Sequence, residues 1–152
     1  MTMNKDKYKS CVHYIINRVQ ELTDGVTKGM LLRILYFSDF NFYEKHNRLI
    51  TDDIYIKKVS GPISKKINII LGELINEHKI KKTNKNIKSL SIPYINISSD
   101  EKQEIDSVIS NIYNMGWLES YLWIYNDAPY HVSEINESID PELVFYRSDR
   151  TF

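Results

Sequence analysis

Chemistry needs side chains that move protons, hold metals or attack, and this 152-residue chain scatters them. Its four histidines, His13, His46, His78 and His131, fall at no metal-ligand spacing, and no H-E-x-x-H run occurs. The five glycines stand singly, so there is no Gly-rich phosphate cradle, and no G-x-S-x-G elbow presents a serine. The lone Cys11 precludes an intramolecular disulfide. It shares an apolar stripe with Tyr8 and Ile15, the place of a small buried hydrophobe. Asp39, Asp52 and Asp53 could hold a divalent cation if the fold brought them together. An enzyme would draw on Asp39, Asp52 or His131. Thr51-Asp52-Asp53 is turn material first, because Asp side chains bond their own backbone two residues on. The expectation is a protein that is not an enzyme, with no catalytic residues, metal or cofactor.

What remains is surface for recognition. Eleven tyrosines and two tryptophans are available, and such side chains dominate interface hot spots together with Arg. They are equally ordinary core pieces when their polar tips find a partner. Tyr36, Phe37, Phe40 and Tyr43 sit in an apolar helix and read as core. Tyr55, Tyr94, Trp123, Tyr125 and Tyr130 fall on loops or helix ends, where they would meet a partner. A second pattern is basic. Lys79, Lys81, Lys82, Lys85 and Lys88 crowd one hairpin that, flanked by Lys57, Lys58, Lys65 and Lys66, could ride on a phosphate backbone. Solvated lysines that protect a sheet edge look the same in sequence. Net charge is zero, yet residues 1–97 carry +8 and residues 98–152 carry −8. That asymmetry fits either a basic binding face or two halves that pack on each other.

The elements that must position these residues are mostly helical. Residues 8–22 form an amphipathic stripe. Residues 27–46 follow, with Thr27 as N-cap and apolar side chains round nearly the whole circumference, the pattern of a helix buried on most sides. Residues 48–62 read as an extended surface connection in which Ile54, Ile56 and Val59 alternate with Tyr55 and Lys57. Gly61-Pro62 reads as a turn or the entry to a third helix over 63–78. Residues 79–97 read as a hairpin with arms 79–83 and 90–97 around Asn84-Lys85-Asn86, and Pro93 puts the second arm at an edge. Ser98 and Glu101 have capping-box spacing and open a fourth helix that Gly116 stops. Leu118, Tyr121, Leu122 and Tyr125 make a fifth, shorter stripe, broken at residues 126–130. Residues 132–152 read as a polar connector, a Pro141-initiated turn or short helix and a frayed end. The expected fold is mainly α (α+β): one compact domain over residues 1–152, about five helices with a small β-hairpin, and 132–152 as a C-terminal extension. No run of 18 apolar residues occurs and the charged N-terminus lacks an apolar signal core, which points to a cytoplasmic protein without a membrane span.

Three linked runs resemble the signature of a known family. Arg33-Ile34-Leu35-Tyr36-Phe37-Ser38-Asp39 matches a K-L-L-Y-F-x-D helix. Asn47-Arg48-Leu49-Ile50-Thr51-Asp52-Asp53 matches a G-R-x-I-T-x-D turn, and Ser60-Gly61-Pro62 a Y-G-P. Further on, Ile124-Tyr125-Asn126-Asp127-Ala128-Pro129-Tyr130 matches a T-H-x-x-x-P-W break. Together they resemble the Panacea domain of SocA-like antitoxins and phage-associated proteins, over roughly residues 31–130. Arg33 stands for Lys, Asn47 for Gly, Ser60 for Tyr, Tyr125 for His and Tyr130 for Trp, so no role passes from that Tyr at 60 or that His at 125. The resemblance implies an antitoxin that neutralises a cognate toxin, encoded beside it, by direct contact, with delivery to a protease as one mode. Together with the aromatic positions above, it marks Tyr36, Asp39, Arg48, Asp53, Tyr55, Gly61, Pro62, Trp123, Tyr125, Asp127, Pro129 and Tyr130 as partner-binding candidates. It also suggests that the 48–62 connection and the 127–130 break meet in space. With about 26 residues ahead of the central helix, no separate DNA-binding module is expected there. The alternative is a nucleic-acid-binding or phage-associated regulatory protein that uses the basic hairpin.

Overall fold

A segment apolar on nearly every side needs neighbours on nearly every side, and this requirement arranges the molecule. The computed structural model describes residues 4–148. Its central helix, α2 (Lys28–His46), is capped as its sequence directs. Thr27 Oγ1 accepts the Met30 N–H at 3.2 Å, and Asn47 closes the other end in the left-handed conformation at φ 61°. Every residue from Met30 to Phe42 is buried, including Arg33, Ser38, Asp39 and Asn41.

Helix α1 (Lys5–Gln20) buries Tyr8, Cys11, Val12, Ile15, Ile16 and Val19 in the same core. Cys11 is sealed and burial pushes its thiol well up, in keeping with a small hydrophobe. Strand β1 (Val26–Thr27) leads into α2. Strands β2 (Tyr55–Lys58) and β3 (Gly61–Ser64) make an antiparallel hairpin against α2. Helix α3 (Ile67–Asn76) follows, then β4 (Ile80–Thr83) and β5 (Asn86–Ser89). The three-stranded sheet has the order β1-β5-β4. Helix α4 (Ser99–Met115) opens on the expected capping box and ends at Gly116, α5 (Trp117–Asn126) begins at once, and α6 (Ala128–Val132) precedes a 3-10 helix over Pro141–Tyr146.

Several expectations are corrected. The described residues hold six α-helices, a 3-10 helix and two small sheets, rather than about five helices and one hairpin. Segment 48–62 is no surface loop, since Ile50, Thr51, Asp53 and Tyr55 are all buried. The phase of β2 is opposite to the expected one: Tyr55 points inward while Ile54 and Val59 face water. Tyr55 goes inside because its hydroxyl finds a buried acceptor there. Gly61-Pro62 lies in β3 instead of opening α3, and α3 starts later because residues 61–64 are paired with β2. The basic hairpin closes sooner, with 86–89 as its second arm. Residues 90–97 run irregularly across α1, where Ser10 Oγ donates to the Tyr94 carbonyl at 2.6 Å and accepts the Asn96 N–H at 2.8 Å. Residues 136–139 line the outer edge of β2, with the Ile139 N–H on the Tyr55 carbonyl at 2.8 Å. The short helical piece expected at Pro141 is present, and the expectation of a frayed end falls on residues 149–152, which lie outside the described residues. Among the described residues no helix is long and apolar enough to cross a membrane.

Candidate functional site

The signature residues converge, and most of them point inward. Asp39, fully buried on α2, accepts four hydrogen bonds. Its Oδ1 takes the Ile50 N–H at 2.7 Å and the Thr51 N–H at 3.0 Å, and its Oδ2 takes the Thr51 and Tyr55 hydroxyls at 2.6 Å each. Asp53 holds the next corner. It accepts the Ser64 hydroxyl, which also meets the Tyr8 hydroxyl, and the Lys66 N–H at 2.8 Å at the entry to α3. Asp52 takes the left-handed conformation at φ 59° as a turn residue. The Asp39 and Asp53 carboxylates are thus occupied by protein donors, and among the described residues no group of three potential ligands could hold a metal.

A second buried knot ties α2 to the break after α5. The Tyr36 hydroxyl donates to Asp127 Oδ2 at 2.7 Å, and the Arg147 fork grips the same carboxylate at 2.9 and 3.0 Å. Arg147 also donates to Asn41 and Glu44. Burial works against the charge on Arg147, but Asp127 outweighs it and holds its pKa above the ordinary guanidinium value. The Tyr130 hydroxyl donates to the Lys58 carbonyl, and Lys57 Nζ lies 4.6 Å from the Tyr130 ring centre. Segment 48–62 and the 127–130 break therefore do meet. What this network can do is hold: it clamps β2–β3, α2 and the C-terminal segment into one body.

Among the other partner-binding candidates, Pro62 and Pro129 are buried, Gly61 and Trp123 are half-buried, and Arg48 and Tyr125 are exposed. Arg48 donates to Glu101 at 2.7 Å. Tyr55 and Tyr130, expected to face a partner, are buried because each hydroxyl is satisfied inside. On the basic hairpin Lys79 pairs with Glu77 and Lys88 with Asp24, while Lys81, Lys82 and Lys85 are exposed. His131 is exposed on α6.

The open surface lies on α5, which buries only Ser120 and Ile124. Trp117, Leu118, Leu122 and Tyr125 are between 48% and 62% exposed. The rings of Trp117, Tyr121, Tyr125 and Tyr130 follow one another at 6.1, 6.1 and 6.0 Å. An open pocket of about 430 Å³ adjoins this face, lined by Glu119, Leu122, Trp123, Asn126 and Ser148. The fifth apolar stripe is thus largely the wet side of α5, with Tyr125 at the surface as expected, and it is extended by Trp117, which the sequence pattern did not single out. The available signal lies in Ser120 and Ile124, four residues apart, which with the half-buried Trp123 turn that side of the helix to the core.

A family model described as antitoxin SocA-like, Panacea domain, matches residues 31–128. The chain belongs to this family. Comparisons with curated proteins and with solved structures return no match. The Panacea match starts in α2 and ends at the first residue of α6. It encloses Tyr36, Asp39, Asp53, Tyr55 and Asp127, so the family region contains most of the buried network. Tyr130 and Arg147 complete that network from beyond it.

Proposed function

We propose that this Panacea-domain chain is a cytoplasmic, non-catalytic antitoxin that neutralises a cognate toxin by direct contact through the exposed face of α5. Membership of the antitoxin family carries the first half of this reading. The ring ladder on α5 supports the second. An exposed cluster of large apolar and aromatic side chains on a short helix, backed by a rigid buried network, suits a preorganised docking face. The charge asymmetry of the two halves does not argue for a basic binding face. Much of it is used inside the molecule, where Lys7 and Arg48 both pair with Glu101 and Lys45 pairs with Glu104.

The test is co-expression with the neighbouring open reading frame. The neighbour alone should arrest growth, and the pair should grow and yield a stable complex at an unchanged toxin level. A fall in toxin level that needs the complex would assign protease delivery through the same contact. A harmless neighbour, or rescue without physical association, would defeat direct neutralisation.

A further inference from the structure

Arg33 and Arg147 are both about nine-tenths buried or more, at 8% and 6% exposure by residue and side chain respectively, and the fold treats them differently. Arg147 is gripped by Asp127. Arg33 has no carboxylate within ion-pair distance among the described residues, and Glu119 on the facing helix does not reach it. Its Nη1 donates to the Trp117 carbonyl at 3.3 Å and to Ser120 Oγ at 3.2 Å. Its Nε and Nη2 have no protein acceptor among the described residues, yet neither is sealed from water. The guanidinium carbon lies 5.1 Å from the Trp117 ring centre and 5.3 Å from the Tyr121 ring centre. Burial lowers its pKa, opposed only by the Tyr121 hydroxyl. A desolvated cation without a counter-charge is costly, so buried charges are normally paired.

We propose that Arg33, walled by Trp117 and Tyr121, is a socket for the carboxylate of an acidic side chain on the toxin. This rests on the reading that the chain binds its toxin through α5. The free edge of the guanidinium offers Nε and Nη2 side by side, the fork that grips a carboxylate with two parallel hydrogen bonds. The aromatic walls shield that pair from water and strengthen it. At the far end of the ring ladder stands a second cation, Lys57, whose Nζ contacts carbonyls of His131 and Ser133 and forms no ion pair among the described residues. The face is apolar along its length and positive at both ends, and its complement is an apolar toxin segment carrying acidic residues.

The probe is the neighbouring gene product, purified with an inactivating substitution and titrated calorimetrically into the full chain. Arg33→Gln, which keeps an amide donor for Ser120 and the Trp117 carbonyl, should bind at least tenfold more weakly than wild type. Arg33→Lys, a charge without the fork, should fall between. Because Arg33→Gln could disturb α5, the acidic residues of the probe are also neutralised one at a time against the unaltered chain. One of them should cost wild type the same factor and cost Arg33→Gln nothing further. If no acidic residue couples to Arg33, the socket is overturned while direct neutralisation stands. Equal affinity for a folded Arg33→Gln chain would overturn it too, as would Arg33 supporting binding of a single-stranded oligonucleotide instead. If the wild-type chain does not bind the probe at all, the antitoxin reading falls and the socket with it.

Discussion

Asp39 shows how one residue can serve two opposed demands. Four donors favour its charged form, but complete burial pushes its pKa up from 3.8 to about 6. A carboxyl whose folded pKa is raised contributes stability that is fully present below its unfolded value and is lost as pH rises through the folded one. The window is therefore about pH 4 to 6. Urea unfolding of wild type and Asp39→Asn at a series of pH values isolates this effect, and across that window wild type should lose about 3 kcal/mol relative to the variant. A flat difference would mean that the four donors cancel the burial. Asp127 poses the simpler case of a buried pair. Asp127→Ala leaves the Arg147 fork desolvated with less to bind, and about 3 kcal/mol of stability should disappear in denaturant unfolding. The double variant lacking Arg147 as well should lose less than the sum of the two single losses.

The β2–β3 hairpin turns on Gly61, whose φ of 130° belongs to glycine. A Cβ built there meets nothing within 4 Å, so any penalty is backbone strain alone. Gly61→Ala should cost about 1–3 kcal/mol, measured by thermal unfolding, and a neutral result would show that the turn relaxes freely. Helix α4 depends on its cap in a similar local way. Ser98 Oγ takes the Glu101 N–H at 3.2 Å and Glu101 returns the bond to the Ser98 N–H at 2.8 Å. Glu101 is also where Lys7 and Arg48 meet, and although burial works against its charge, these partners hold its pKa below the usual carboxylate range. Ser98→Ala should cost about 1 kcal/mol. Capping of this kind is local and was legible in the sequence. The phase of β2 was not, because Ile54 and Tyr55 are both good strand residues. The choice between them was made by Asp39, sixteen positions before Tyr55.

The whole molecule presents two surfaces whose roles can be separated. Replacing Trp117, Leu118 and Tyr125 together by serine removes side chains that are between 49% and 62% exposed. The variant should still unfold cooperatively, with a loss of about 1–3 kcal/mol for the partly buried area removed, while the toxin complex and growth rescue are lost. Replacing Lys81, Lys82 and Lys85 by alanine should leave rescue intact. Loss of rescue there, with the α5 variant still active, would move the contact to the basic hairpin.

The sequence alone determined the helical frame, the caps, the buried Cys11 and the family. These follow from short-range periodicity, from residues that satisfy neighbouring backbone groups, and from motifs contiguous in the chain. Tertiary structure alone decided which polar residues are tied up inside and which face stays open. Tyr55, Asp127 and Tyr130 looked like surface chemistry until partners distant in sequence claimed them, and the side on which the α5 stripe lies was open until Ser120 and Ile124 took the inward positions. Burial is a property of what packs against a residue, and a one-dimensional pattern records only what that residue could tolerate.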